Sequence, residues 1–252
     1  MALEPVDVLQ GSFSLIFVII SLILGFAILS KYPKYKSRLY FLVGLSWVGV
    51  SLPWWPDSIS FLMNLIVGES LPVRWYFIIG NVFIPIALLC WIVAYTDMIN
   101  KKLQLMAVLF TYIFSILFEV TFFILFFIDI DLIGIINPTR PFTVDFGIFI
   151  TIYLILIILI MLITGVIFAQ KSVKSNDREV RLKGKLLRAA FITFTVAAVL
   201  DSSLGAIFED PADPILSILV VIVRILLITS AIEFYGGFLL PRWLKEIFLK
   251  SE

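Results

Sequence analysis

Long apolar runs restrict the fold of this chain more than any other feature of its sequence. A membrane-spanning helix needs about 20 apolar residues, and backbone groups in lipid require internal partners, which leaves only helices and closed barrels. The runs are too long and too uniformly apolar for barrel strands, which alternate over about 10 residues. The sequence therefore predicts an all-α, single-domain bundle of seven transmembrane helices. The runs lie near 11–31, 38–55, 75–97, 103–129, 146–171, 184–208 and 214–240.

The composition excludes several kinds of chemistry. The chain is 62% hydrophobic and 15% charged, with no histidine and a single cysteine, Cys90. An intramolecular disulfide, a zinc site built from histidine and cysteine, and histidine-based acid–base catalysis are thus excluded. The opposite charges nearly cancel, which gives no reason to expect a nucleic-acid partner. We expect neither a catalytic site nor a metal site.

The distribution of basic residues predicts the orientation. Sixteen lysines and arginines fall in the first, third and fifth linkers and the C-terminal tail, against two, Arg74 and Arg140, on the other side. Because basic loops stay in the cytoplasm, we expect an outside N-terminus and a cytoplasmic C-terminus in a multi-pass protein of the cell membrane. The outer side is acidic instead, with Glu4, Asp7, Asp57, Glu69, Asp129, Asp131, Asp145, Glu209, Asp210 and Asp213.

The second run is followed by an ambiguous apolar stretch at 59–67. Two prolines, Pro53 and Pro56, separate this stretch from the run, and Trp54 and Trp55 between them are typical of the headgroup level. The stretch is too short to cross alone. It could be a lip helix on the outer surface, an extension of the second helix beyond a proline kink, or an interfacial anchor.

Three ionisable residues are predicted to lie at one depth inside the bundle. They are Glu119 in the fourth run, Asp201 in the sixth and Arg224 in the seventh. Buried charges in lipid usually pair, so we predict an Asp201–Arg224 contact with Glu119 as a third member. Two acids against one arginine leave a surplus acid, which is compatible with proton coupling. The alternative is a structural network that only locks three helices together.

Four further polar residues are weaker candidates. Glu233 lies about 13 Å below Arg224 on the opposite helix face, where it could form a cytoplasmic latch with Arg188 or simply extend to the interface. Asn81 in the third run and Ser202 beside Asp201 could bind a ligand. Ser202 could instead satisfy its own helix backbone.

Helix count and orientation also fit a retinal protein, but the required lysine is missing. A retinal Schiff base needs a lysine amine at mid-membrane in the seventh helix. The seventh run carries Arg224 there, and arginine stays protonated. We therefore expect no cofactor.

One segment resembles a known family. Gly80, Pro85, Trp91 and Tyr95 in the third run, with Trp47 in the run before it, resemble the seven-helix sensor module found before the kinase domain of some histidine kinases. The likeness covers the second to fourth runs. The chain has no histidine to phosphorylate, so the resemblance implies a free-standing sensor-like module that signals to a separate protein.

Two functions follow from these features. The first is a receptor-like or sensor-like module that binds a small or lipidic ligand in an outward-opening pocket. It would signal through the basic segment from Lys171 to Arg188, which could engage an acidic cytoplasmic protein or anionic lipid. That segment could also serve only to fix the topology. The second function is a transporter or proton-coupled channel that uses Glu119, Asp201 and Arg224. The oligomeric state is not predicted.

The orientation can be tested by thiol labelling. After removal of Cys90, single cysteines at Glu209 and Asn176 are expected to react from opposite sides of the membrane with an impermeant reagent, because an odd number of crossings separates them. Labelling of position 176 in intact cells would contradict the orientation.

Overall fold

The structure is a computed structural model that describes residues 3–138, 140–208 and 213–249. Its described part is helical except for one short hairpin. The helices are α1 (Pro5–Leu29), α2 (Tyr32–Tyr35), α3 (Arg38–Val50), α4 (Trp55–Val67), α5 (Val73–Asn81), α6 (Ile84–Ile99), α7 (Gln104–Ile128), α8 (Ile148–Val173), α9 (Arg178–Ile207), α10 (Pro214–Leu239) and α11 (Arg242–Leu249). The strands are β1 (Gly134–Ile136) and β2 (Val144–Phe146). Glu209 and Asp210 lie outside the described residues.

Six helical segments in the described ranges are long and apolar enough to cross a membrane. They are Pro5–Tyr35, Val73–Ile99, Lys101–Ile128, Ile148–Val173, Arg178–Leu204 and Pro214–Leu239. Each coincides with one of the predicted apolar runs. The chain is therefore an all-helical, multi-pass membrane protein, and its apolar outer surface is suited to contact with the lipid bilayer.

The second apolar run and the stretch that follows it form two short helices in series. Pro53 and Pro56 lack an amide hydrogen, and the chain passes through a 3₁₀ turn at Leu52–Trp54 between α3 and α4. Each of the two helices has 13 residues, or about 20 Å at 1.5 Å per residue, so neither meets the length of a span alone.

The two short helices lie end to end along α1. Gly44 of α3 lies against Gly25 near one end of α1, and Phe61 of α4 lies against Gly11 near the other. The stretch at 59–67 therefore continues the second helix beyond its proline break. It does not lie flat as a lip on the surface. Only its last turn, around Leu65, Ile66 and Val67, is strongly exposed.

The third run is also divided. α5 ends at Asn81 and α6 begins at Ile84, with Pro85 in its first turn, where a missing amide hydrogen costs nothing. Gly80 at the end of α5 abuts Pro56 of α4. The two broken helices therefore meet at their breaks.

The long helices surround this pair. The most extensive contact in the fold joins α9 to α10, and α10 also packs along α1. α8 packs on α9, whereas α7 packs mainly on α6 and is the most exposed of the six spans. The interior between them is rich in aromatic rings, such as Trp47 stacked on Phe234 with centroids 4.2 Å apart.

The hairpin between α7 and α8 folds inward at the end of the bundle where α1 begins, which we call the acidic end. The Arg140 guanidinium donates to the Gln10 side chain over 3.1 Å and lies 4.0 Å from Asp7. The Gln10 amide donates in turn to the Phe142 carbonyl. Arg140 and Asp7 are thus buried at this end of the bundle, whereas the charge count had placed both in the outer solvent. Burial lowers the pKa of the Arg140 guanidinium, and the Asp7 carboxylate opposes this effect.

The opposite end of the bundle, which we call the basic end, holds α2, α11 and the turn between α8 and α9. Ion pairs join its parts. The Arg38 guanidinium contacts the Asp97 carboxylate at 2.6 Å, and the Lys245 ammonium contacts Glu179 at the same distance. Both pairs are partly exposed, so they contribute at most about 1 kcal/mol each.

An alanine substitution at Gly44, which adds one methyl group, tests the close contact between α1 and α3. A Cβ atom at Gly44 would lie 2.7 Å from the Gly25 carbonyl oxygen, a backbone atom that cannot turn aside. Gly44→Ala is expected to lower the free energy of unfolding in detergent by about 1–3 kcal/mol. Gly80→Ala is the matched control, since its Cβ would approach only the Pro56 ring at 3.1 Å. The gain in helix propensity, about 1 kcal/mol, offsets that contact. Equal losses in the two variants would contradict the close approach.

Candidate functional site

The centre of the bundle contains a buried arginine shared by two carboxylates. Arg224 of α10 is 1% exposed, and its Nη1 donates to the Asp201 Oδ2 atom of α9 over 2.8 Å. The two residues predicted to pair are therefore in contact. They meet because α9 and α10 are consecutive, antiparallel helices whose connection is short.

The second carboxylate is Asp57 of α4. Its Oδ2 atom lies 3.7 Å from the Arg224 Nη2 atom and accepts a hydrogen bond from the Ser14 hydroxyl over 3.5 Å. The Tyr76 hydroxyl of α5 donates to the other oxygen. Asp57 is 5% exposed, although the sequence had placed it in the outer solvent. Residues from α1, α4, α5, α9 and α10 thus meet at one guanidinium.

The sequence held a signal for Asp57 that the proline pair obscured. Trp54, Asp57, Ser58 and Phe61 recur at the spacing of one helix face, and all four are buried. In the sequence, Pro53 and Pro56 interrupt this periodicity, so a continuation of the second helix was only one of the alternatives. The structure shows that the helix resumes after one 3₁₀ turn, which carries Asp57 into the bundle.

Trp54 is the other member of the site that the sequence missed. Its indole Nε1 donates to the Asp201 Oδ2 atom over 2.8 Å, the same oxygen that accepts from Arg224. The ring is 6% exposed and packs edge-on against Phe17 with centroids 5.1 Å apart. Trp54, whose position beside the prolines is typical of the headgroup level, is therefore enclosed by protein and does not face lipid.

Glu119 does not belong to this cluster. It lies on α7, which packs on α6 at the periphery, and its carboxylate is close enough to Tyr153 of α8 to act on it electrostatically. Glu119 was predicted to join the cluster because it lies at the same depth along its helix as Asp201 and Arg224. Depth alone does not decide which face of the bundle a residue occupies, and Asp57 takes the place expected for Glu119.

The two weaker ligand candidates bond to their own helices. The Ser202 hydroxyl is exposed and donates to the Val199 carbonyl over 2.9 Å. The Asn81 amide is buried and donates to the Phe77 carbonyl over 2.9 Å. For Ser202 this is the local backbone role that the sequence left open.

The predicted latch between Glu233 and Arg188 does not form in the structure. The Arg188 guanidinium donates to the Gln170 side chain of α8 over 3.3 Å. Glu233 lies against Thr193 instead. Five residues separate Thr193 from Arg188 along α9, or about 140° around the helix, so the two positions face different neighbours.

The basic segment from Lys171 to Arg188 is mostly helical. α8 continues to Val173, and α9 begins at Arg178 with the Asp177 side chain capping its first amides over 2.7 and 3.2 Å. Two grooves adjoin this segment. One, of about 290 Å³, is lined by Val166, Ile167, Gln170, Lys171 and Lys174. The other, of about 480 Å³, lies between α9 and α11. Both are at the basic end, away from the acidic end where the sequence had predicted an outward-opening pocket.

The chemistry of the central cluster is that of a closed charge network. Two carboxylates face one guanidinium, and the Arg224 Nε atom is buried without a hydrogen-bond partner in the described part of the chain. Within the same ranges no group of three or more histidine, cysteine or acidic side chains could hold a metal ion. Comparison with protein-family models, with curated proteins and with solved structures finds no match to this chain.

A double-mutant cycle tests the cluster. Arg224→Leu leaves the buried Asp57 and the partly buried Asp201 without their counter-ion and is expected to cost about 3–5 kcal/mol of unfolding free energy in detergent. Adding Asp201→Asn to Arg224→Leu should recover about 0.5–3 kcal/mol of that loss, because one uncompensated charge is removed. Adding Asp57→Asn as a third change should recover more of the lost unfolding free energy.

Glu119→Gln is the matched control for this cycle. It neutralises another acid of a membrane span that has no place in the cluster, so its effect should add to that of Arg224→Leu within about 0.5 kcal/mol. If the effect of Asp201→Asn also simply added to that of Arg224→Leu, Asp201 and Arg224 would not be energetically coupled.

Proposed function

We propose that the chain crosses the cell membrane seven times, with its N-terminus outside and its C-terminus in the cytoplasm. Six crossings would be the six long helical segments, and the remaining one, which is second in chain order, would be formed by α3 and α4 together. Their end-to-end contact with α1, which is long enough to span by itself, supports this proposal. The concentration of lysine and arginine at the basic end supports the orientation.

We propose further that the bundle is a sensor-like or receptor-like module. The observation that carries this proposal is the sharing of Arg224 between carboxylates of two different helices, at 2.8 Å from Asp201 and 3.7 Å from Asp57. A small displacement of α4 relative to α9 would transfer the Arg224 guanidinium from Asp201 to Asp57. An arginine that can pair with either of two carboxylates would have two alternative arrangements, which is what a switch requires.

The acidic end is the side on which a stimulus would act. The hairpin touches Gln10 of α1 through Arg140, and the Phe142 ring lies 6.1 Å from that of Phe61 on α4. A small or lipidic ligand that displaced the hairpin would therefore act on the two helices that carry Ser14 and Asp57.

The basic end is the side on which the response would be read. α9 carries Asp201 near one end and the basic residues from Arg178 to Arg188 near the other. A change in the Asp201–Arg224 pair would be passed along α9 as a rigid element. A separate cytoplasmic partner with an acidic surface would then detect the position of that segment.

A transporter or proton-coupled channel is the second candidate. It is favoured by the surplus of one buried carboxylate over the single guanidinium. Carriers usually show broken helices at corresponding places in two related halves. Here the breaks fall in the second and third runs, whereas α8, α9 and α10 are continuous over their described lengths. We therefore prefer the sensor.

Opposite substitutions in the cluster test the switch. Asp57→Asn should leave Arg224 with Asp201, and Asp201→Asn should transfer it to Asp57. Spin labels at Asn176 and Lys102, in a protein lacking Cys90, would report the separation of two turns at the basic end. We expect the two variants to shift this distance in opposite directions by about 1–2 Å.

The control for this measurement is Glu119→Gln, which should leave the distance unchanged. Unaltered distances in both aspartate variants would contradict the sensor proposal. Proton flux into liposomes containing a pH dye separates it from the second candidate. Flux that disappears in Asp57→Asn or Asp201→Asn would establish proton-coupled transport, and we expect none.

A further inference from the structure

The groove between α9 and α11 has the form of a lipid-binding site. One wall is a single face of α9, on which basic and apolar residues recur at intervals of three and four. These are Arg178, Arg181, Leu182, Lys185, Leu186 and Ala189. The other wall is the end of α11, with Phe248 and Leu249. The volume of about 480 Å³ is enough for part of an acyl chain.

The basic residues of this groove are confined to the start of α9, where Leu182 lies between two of them. The three basic side chains lie on the first two turns of α9, and Leu186 and Ala189 lie deeper in the same helix, which continues as a membrane span. A bound molecule would therefore have an anionic group at the surface and an apolar portion directed into the membrane. That is the chemistry of an anionic phospholipid.

The position of α11 supports this assignment. Leu244 is buried against Gly236 of α10, and Lys245 is ion-paired with Glu179 at 2.6 Å, which fixes α11 to the end of the bundle. The remaining apolar residues of this short amphipathic helix, Trp243, Ile247 and Phe248, are about half exposed. A helix of this composition at the end of a membrane span lies at the lipid headgroup level.

We propose that this groove binds one anionic phospholipid, with the phosphate at Arg178, Arg181 and Lys185 and one acyl chain against Leu186 and Phe248. The inference depends on the position of α9 as a span and not on the proposed orientation or the sensor function. The other groove, at Lys171 and Lys174, stays available to a protein partner.

Native mass spectrometry of the full chain with added phosphatidylglycerol or phosphatidylcholine tests the proposal. We expect one phosphatidylglycerol to be retained in preference to phosphatidylcholine. The triple variant Arg178→Gln, Arg181→Gln, Lys185→Gln should bind it about a hundredfold more weakly, since each basic residue near an anionic lipid surface contributes about fivefold. The matched control is Lys171→Gln, Lys174→Gln, Lys183→Gln, which removes the same charge outside the groove and should change the affinity by less than about threefold.

A second pair of variants tests the apolar wall. Phe248→Ala should weaken retention of phosphatidylglycerol, whereas Ile247→Ala should not, because Ile247 is similarly exposed but lies outside the groove. Thermal unfolding of each variant in the same detergent serves to exclude a general loss of structure.

Three results would overturn the proposal. Equal weakening by both triple variants would mean diffuse attraction to basic charge. Displacement of the lipid by millimolar glycerol phosphate would mean a site for a free phosphate. Retention of an acidic peptide in place of the lipid, lost in the groove variant alone, would mean a protein-docking site.

Discussion

The charge on Arg224 has to be balanced inside the bundle, because a bare guanidinium at mid-membrane costs about 2.5–3.5 kcal/mol even on permissive scales. Asp201 and Asp57 supply that balance from two helices that are far apart in sequence. Tyr76 and Ser14 then satisfy the Asp57 carboxylate from two more helices. These contacts thus join α4 and α5 to the helices that carry Arg224 and Asp201.

The proline break in the second helix makes this arrangement possible. Trp54 and Asp57 lie three residues apart on one helix face, and the 3₁₀ turn at Leu52–Trp54 sets the direction of that face relative to α3. Trp54 thereby reaches Asp201 of α9, and Asp57 reaches Arg224 of α10. Gly80 of α5 lies against Pro56 at the same level. The breaks in the second and third helices are therefore part of the site, and a switch based on Arg224 would act through them.

The two ends of the bundle differ in whether their charged side chains are buried or accessible. At the acidic end, Arg140 of the hairpin loop and Asp7 of α1 are buried 4.0 Å apart, and Arg140 donates a hydrogen bond to Gln10. At the basic end the lysines and arginines stay accessible along helix faces, where α11 provides an apolar wall beside them. The acidic end is thus covered by the hairpin, whereas the basic end leaves charged and apolar side chains accessible.

The sequence by itself determined the membrane class, six of the spans and the Asp201–Arg224 pair, because apolar length and the cost of a lone buried charge are local properties that need no knowledge of neighbours. The tertiary structure alone decided that Asp57, and not Glu119, completes the cluster. Depth can be counted along a chain, whereas the face toward which a helix turns depends on which helices pack against it. For Asp57 that face was set by a single turn at two prolines.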